Sequence, residues 1–178
     1  KDKTVIFSKV IKSLKIIRDA EIAHKEVTGK YTEDLQGLIQ FIDTAQFAII
    51  NTSTIIVKVN KGTKWQPLIE NVEKRVTDTI GHEPVIDKFI ERDYKNMDKV
   101  PGTDKVFIVE VGEIEKFAGL VIPVFEVRVA KDDVLVGMDS YLVKQEKEAI
   151  TNDQIKGKFI SVGSLVEVTT GGNWPPSY

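Results

Sequence analysis

The chain has 178 residues, enough for one domain, with 42% hydrophobic residues to fill a core and 29% charged residues to solvate a surface. Its 25 basic and 27 acidic residues leave a formal charge of -2, and no basic patch is interleaved with aromatics, so composition gives no electrostatic basis for binding nucleic acid. The lack of cysteine excludes disulfides, thiolate nucleophiles and cysteine-based zinc sites.

No apolar run reaches the roughly 18 residues that a membrane span needs. The opening Lys1-Asp2-Lys3 lacks the apolar segment of a signal peptide, and no initiator Met is present. The chain is therefore expected to begin inside a longer protein.

The first element predicted is a long amphipathic helix from Thr4 to Thr28. Phe7, Val10, Leu14 and Ile17 recur at three- and four-residue spacing, and Val5, Ile6, Ile11, Ile16, Ala20, Ile22 and Ala23 widen the stripe. Gly29 follows at the place where a left-handed residue stops a helix. A short second helix is predicted after Thr32 as its cap, with Leu35, Leu38, Ile39 and Ile42 on one face and Tyr31 poised to staple onto it. From Phe47 the period changes. The β-branched run Thr54–Val59 predicts a strand, and Asn60-Lys61-Gly62 a turn.

Residues 68–80 read two ways: Leu68, Ile69, Val72 and Val76 keep helical spacing, whereas Arg75–Ile80 alternates as a strand does. A short helix is expected over Pro84–Arg92 and a loop over Asp93–Thr103. Lys105–Val111 and Leu120–Val129 predict an antiparallel hairpin, with Pro123 at an edge or a bulge because it cannot donate to a ladder. Asp132 is read as capping a short turn through Met138. A polar stretch from Lys144 to Lys158 leads to Phe159–Ser164, and the tail from Gly171 has no regular character. Helices first and strands later predict an α+β fold, in which the long helix and the short second helix pack on an antiparallel β-sheet. The expected organisation is residues 1–28 as the helix, continuing a membrane anchor upstream, and residues 29–178 as a single α+β domain.

Candidate chemistry is sparse. His24 stands on the long helix with no triad or metal partner beside it. His82-Glu83 opens like a zincin helix, but that motif needs a second histidine where Ile86 stands. Asp132, Asp133 and Asp139, with Gly137 between them, are the one carboxylate group to consider for calcium; capping and surface placement are the alternative. Ser164 lacks the second glycine of a nucleophile elbow, and Gly171-Gly172 lacks the lysine of a phosphate loop. Trp65 and Trp174 are read as latching aromatics or, alternatively, as the walls of a ligand cleft. No catalytic constellation and no cofactor is expected.

The segment Ile17–Leu38, with its Gly29-Lys30-Tyr31 turn and the short helix after it, resembles the start of the soluble domain of type IV pilins and type II secretion pseudopilins. That resemblance implies a helix running N-terminally into a membrane and a soluble half packed on an antiparallel sheet. The same turn, with Leu38–Ile42, Ile122–Glu126, Gly137-Met138-Asp139, Val162–Leu165 and Gly172-Asn173-Trp174, is also similar to an uncharacterised family of bacterial envelope proteins with one N-terminal membrane anchor. Membership implies no known activity.

These features predict a non-enzymatic, membrane-anchored, pilin-like structural subunit on the periplasmic or extracellular side of a bacterial membrane. Homo-oligomer or sister-subunit contacts are expected through the N-terminal helix, carried by Phe7, Val10, Ile11, Leu14 and Ile17. The alternatives are a virion or tail structural protein, or a small ligand-binding envelope module.

Overall fold

The computed structural model describes residues 2–178. Two compact units are present: residues 2–45 with 85–178 form one, and Gln46–Pro84 forms the other. The larger unit is α+β. Its elements are helices α1 (Lys3–Thr28) and α2 (Leu35–Thr44), strands β3 (Ile108–Glu115) and β4 (Val121–Ala130), helices α3 (Lys131–Val134) and α4 (Ser140–Lys147), and strand β5 (Phe159–Gly163). The smaller unit is a hairpin of β1 (Gln46–Asn60) and β2 (Ile69–Pro84). The single domain expected over residues 29–178 is thus corrected: α1 belongs to the core of one unit, and the hairpin stands as a second.

Helix α1 begins at Asp2, whose carboxylate accepts the Thr4 N–H at 2.9 Å, and ends at Gly29, which adopts φ 87°. That left-handed conformation is nearly free of strain only for glycine, and it lets the Gly29 N–H close onto the Lys25 carbonyl. The buried positions run Phe7, Val10, Ile11, Leu14, Ile17, Ala20 and Glu21 at helical spacing, with Ile16 and Ala23 on the flank. They pack against β4, β5, α2 and the 3-10 turn Tyr94–Asn96. Four surfaces, not a sheet alone, absorb the broad apolar stripe.

Asp34, not Thr32, caps α2: its side chain accepts the Gly37 N–H, while the Thr32 hydroxyl accepts the Asp34 N–H. Leu38 and Ile42 are fully buried and Leu35 and Ile39 half-buried, as the spacing predicts. Tyr31 turns to β4 and packs its ring 4.6 Å from that of Phe125.

The antiparallel sheet has the order β3-β4-β5. Along β4 the inward positions alternate as Phe125, Val127 and Val129, with Ile160 and Val162 of β5 opposite the last two. Strand β4 is central, contrary to an edge placement of Pro123. The proline is tolerated because β5 covers β4 only from Glu126 to Ala130, so Pro123 is paired on one side, to Glu113. Gly163 ends β5 at φ 76°, and a Cβ there would lie 2.2 Å from the Phe125 carbonyl oxygen. The expected helix at Pro84–Arg92 is a single 3-10 turn, Val85–Lys88, and the polar stretch from Lys144 to Lys158 opens inside helix α4, which begins at Ser140.

The β1–β2 register runs from Gln46↔Pro84 to Asn60↔Ile69, with one bulge where Ile80 is the extra residue opposite Ile49/Ile50. The turn is built by Asn60, whose Oδ1 accepts the N–H groups of Gly62 and Leu68, and by a Lys61–Glu70 ion pair of 2.5 Å. The ambiguous segment 68–80 is therefore strand: each of its residues from Ile69 has a β1 partner or lies in the bulge.

Candidate functional site

The residues expected to carry assembly contacts are core residues. Phe7, Val10, Ile11, Leu14 and Ile17 are each at most 1% exposed within the single chain. An interface through them would require opening the domain, so that assignment is corrected. The exposed apolar residues of α1 are Val5, Ile22 and Val27, which are scattered and form no stripe.

The aspartates near residue 132 are separately engaged. Asp132 pairs with Lys147 at 2.8 Å, and Asp139 caps α4 by accepting the N–H groups of Tyr141 and Leu142. Asp132 does not cap α3, whose preceding residue is Ala130. Asp133 lines an open groove of about 850 Å³ with Val5, Ile6, Lys9, Pro101 and Asp104. No ion pair joins the charged side chains of this groove among the described residues, and no group of three His, Asp or Glu is placed to hold a metal ion.

His24 donates from Nδ1 to the Lys30 carbonyl at 2.6 Å and meets the Phe41 ring edge-on, so it pins the turn after α1. Trp174 packs its ring over Gly172 in the larger unit, whereas Trp65 lies in the hairpin turn and is 89% exposed.

Of the four buried charged groups Glu21, Asp98, Lys131 and Glu146, two are completely buried, Glu21 and Lys131, and neither is visible in the sequence because each interrupts an apolar pattern only once. Glu21 takes a core position of α1 and is fully buried. Its Oε2 accepts the Thr32 N–H at 3.0 Å, while Oε1 has no partner. Burial raises its pKa to about 7, against a smaller opposing effect of the Thr32 hydrogen bond. Lys131 continues the inward parity of Phe125, Val127 and Val129 past the end of β4, which is why it is buried. Its ammonium donates to the carbonyls of Glu146 and Ile155 at 2.5 and 2.6 Å. Burial lowers its pKa, and the Glu146 carboxylate, itself paired with Lys3, pulls the other way. Both groups tie secondary elements together.

On the other face of the sheet, Glu110 and Glu126 stand directly opposite each other, an unfavourable pairing of like charges. Arg128 relieves it by donating to both, at 2.6 and 3.1 Å to Glu110 and 3.1 Å to Glu126. This bond to Arg128 holds the Glu110 carboxyl below its ordinary pKa.

The surface that does stand out is the hairpin. Apart from Phe47, every residue of its two strands is partly or fully exposed. Cross-strand register sorts the side chains into two faces. One carries Ile49, Ile55, Val57, Val59, Val72 and Val76, interspersed with Asn51, Ser53, Glu70, Lys74 and Asp78; the other is mostly polar, with Thr52, Thr54, Lys58, Glu73 and Arg75, but adds Ile50, Ile56 and Ile69. Ile50, Ile56 and Ile80 are 58%, 69% and 66% exposed.

No family model, curated protein or solved structure matches the chain. Among the described residues, no helix is long and apolar enough to cross a membrane.

Proposed function

We propose that this chain is a non-enzymatic structural subunit that joins an assembly through its β1–β2 hairpin. The observation that carries this reading is the exposed apolar surface of that hairpin. Two strands alone are marginal in water, because a single ribbon buries neither face. A chain with two long strands rich in exposed isoleucine and valine gains most by covering them with a partner. The reading retains the pilin-like, membrane-anchored envelope subunit, supported by the resemblance around Gly29-Lys30-Tyr31 and by α1 packing on an antiparallel sheet. It moves the assembly element from α1 to the hairpin.

The test removes the arm. The Val85 N–H donates to the Ala45 carbonyl at 3.0 Å, so a short Gly-Ser linker can replace residues 46–84 without spreading the flanking chain. Circular dichroism checks the fold, and sedimentation velocity from micromolar to near-millimolar concentration reads association. The full chain is expected to self-associate, and the excised variant to stay folded and monomeric. A full chain that remains monomeric throughout, or an excised variant that associates equally, overturns the proposal.

A further inference from the structure

We infer that the partner of the hairpin is a second copy of this chain, joined edge to edge through β1 in antiparallel pairing about a two-fold axis at Ser53. The inference rests on the hairpin being the assembly element and names what it binds.

Among the described residues each strand of the hairpin has one neighbouring strand, so each leaves one edge without a strand beside it. The two edges differ in kind. Strand β2 carries Glu70, Glu73, Lys74, Arg75 and Asp78, is broken by the bulge at Ile80, and ends in Pro84. Charges, bulges and proline are the devices that stop an edge from accepting another strand. Strand β1 has none of them between Gln46 and Val57: it is regular, free of glycine and proline, and its one charged residue is Lys58. The open edge is β1.

Its sequence is also nearly a palindrome about its own midpoint. With Ser53 on a two-fold axis, Thr52 falls opposite Thr54 of the second copy, Ile50 opposite Ile56, and Ile49 opposite Val57. The unlike pairs are Asn51 with Ile55 and Ala48 with Lys58, and neither opposes like charges. An isologous interface requires this kind of self-complementarity, since every contact is made twice. The register preserves parity, so residues that share a face in one ribbon share it in the joined sheet. The result is a four-stranded sheet in the order β2-β1-β1-β2, in which the exposed isoleucines of β1 become cross-strand neighbours.

The chain has no cysteine, which makes the register directly readable. Residues directly opposite in an antiparallel pair have Cα atoms about 4.5–5.5 Å apart, inside the range of roughly 4.4–6.8 Å for a disulfide. Ser53→Cys in the full chain, treated with a mild copper oxidant, should give a covalent dimer. Ile56→Cys alone should cross-link at least tenfold more slowly. Its copies would lie six residues apart along the strands, about 20 Å at 3.3 Å per residue. An equal mixture of Ile50→Cys and Ile56→Cys should cross-link again, as the heterodimer. Equal cross-linking of all variants, or none for Ser53→Cys, overturns the register. If arm excision abolishes association while the cysteine series shows no register dependence, the pairing proposed here fails and the hairpin remains the assembly element. If excision leaves association intact, both fall.

Discussion

Glu21 offers a quantitative handle on the core of the larger unit. The perturbation is Glu21→Gln, which keeps the length of the side chain and an oxygen for the Thr32 N–H, and removes the titration. In the folded chain this carboxyl has a pKa of about 7, against 4.5 when solvated. Between those values the folded state holds a proton that the unfolded state has released. The stabilisation this group contributes is therefore fully present below pH 4.5, is lost as pH rises towards 7, and levels off above it. At 1.36 kcal/mol per pH unit the full loss is about 3 kcal/mol. The part falling between pH 5 and pH 8 is about 2.5 kcal/mol.

The assay is urea unfolding of wild type and variant at pH 5 and pH 8, under dilute conditions. The quantity read is the difference between the two pH dependences. Glu110 and Asp153 have lowered pKa values, but both sit at the surface and are unchanged by the substitution, so their contributions cancel. Burying the new amide adds an offset that is the same at both pH values, and the comparison removes that as well. Wild type should lose about 2.5 kcal/mol more than Glu21→Gln on going from pH 5 to pH 8. Parallel profiles for the two proteins would refute the argument that burial without a second hydrogen bond raises this carboxyl.

Replacing Lys131 by Met leaves the carbonyls of Glu146 and Ile155 unpaired in the interior and should cost about 2–4 kcal/mol, read from urea unfolding. Leu14→Ala should cost about 2–5 kcal/mol in dilute, monomeric protein, because Leu14 is completely buried; unchanged monomer stability would return that residue to an interface. Asp139→Ala removes the cap of α4 and should cost about 1 kcal/mol, equally in calcium and in chelator.

The elements with purely local causes were legible in the sequence. Helix α1 shows its apolar period, and its end is set by Gly29, whose left-handed backbone is a property of one residue. The hairpin of β3 and β4 was legible from two β-branched runs. What sequence spacing does not contain is the number of surfaces that meet a helix. The stripe on α1 is broader than one face of a sheet covers, and spacing alone does not say whether a partner or the same chain covers the rest. In the fold, α2 and the Tyr94–Asn96 turn take up that surplus. Segment 68–80 was ambiguous for a related reason. Leu68, Ile69, Val72 and Val76 fit a helix by spacing, and only the pairing with β1 selects the strand. Glu21 and Lys131 escaped notice because burial of a single charge depends on the neighbours that enclose it.

The same contrast decides which element is free to serve an assembly. A surface that binds other subunits must be available while the subunit keeps its own fold. Helix α1 does not meet that condition: its nine buried residues include four of the twelve largest fully buried side chains, Phe7, Ile11, Leu14 and Ile17. Exposing that face would unfold the unit that presents it. The hairpin has the opposite character. Its ladder is made between its own two strands, and all its strand side chains but Phe47 remain at least partly exposed. Pairing along β1 would bring its isoleucines together and satisfy an unpaired edge without disturbing a buried contact of the core. A segment that contributes little to the core and keeps a long regular ladder is best placed to act outside its own subunit.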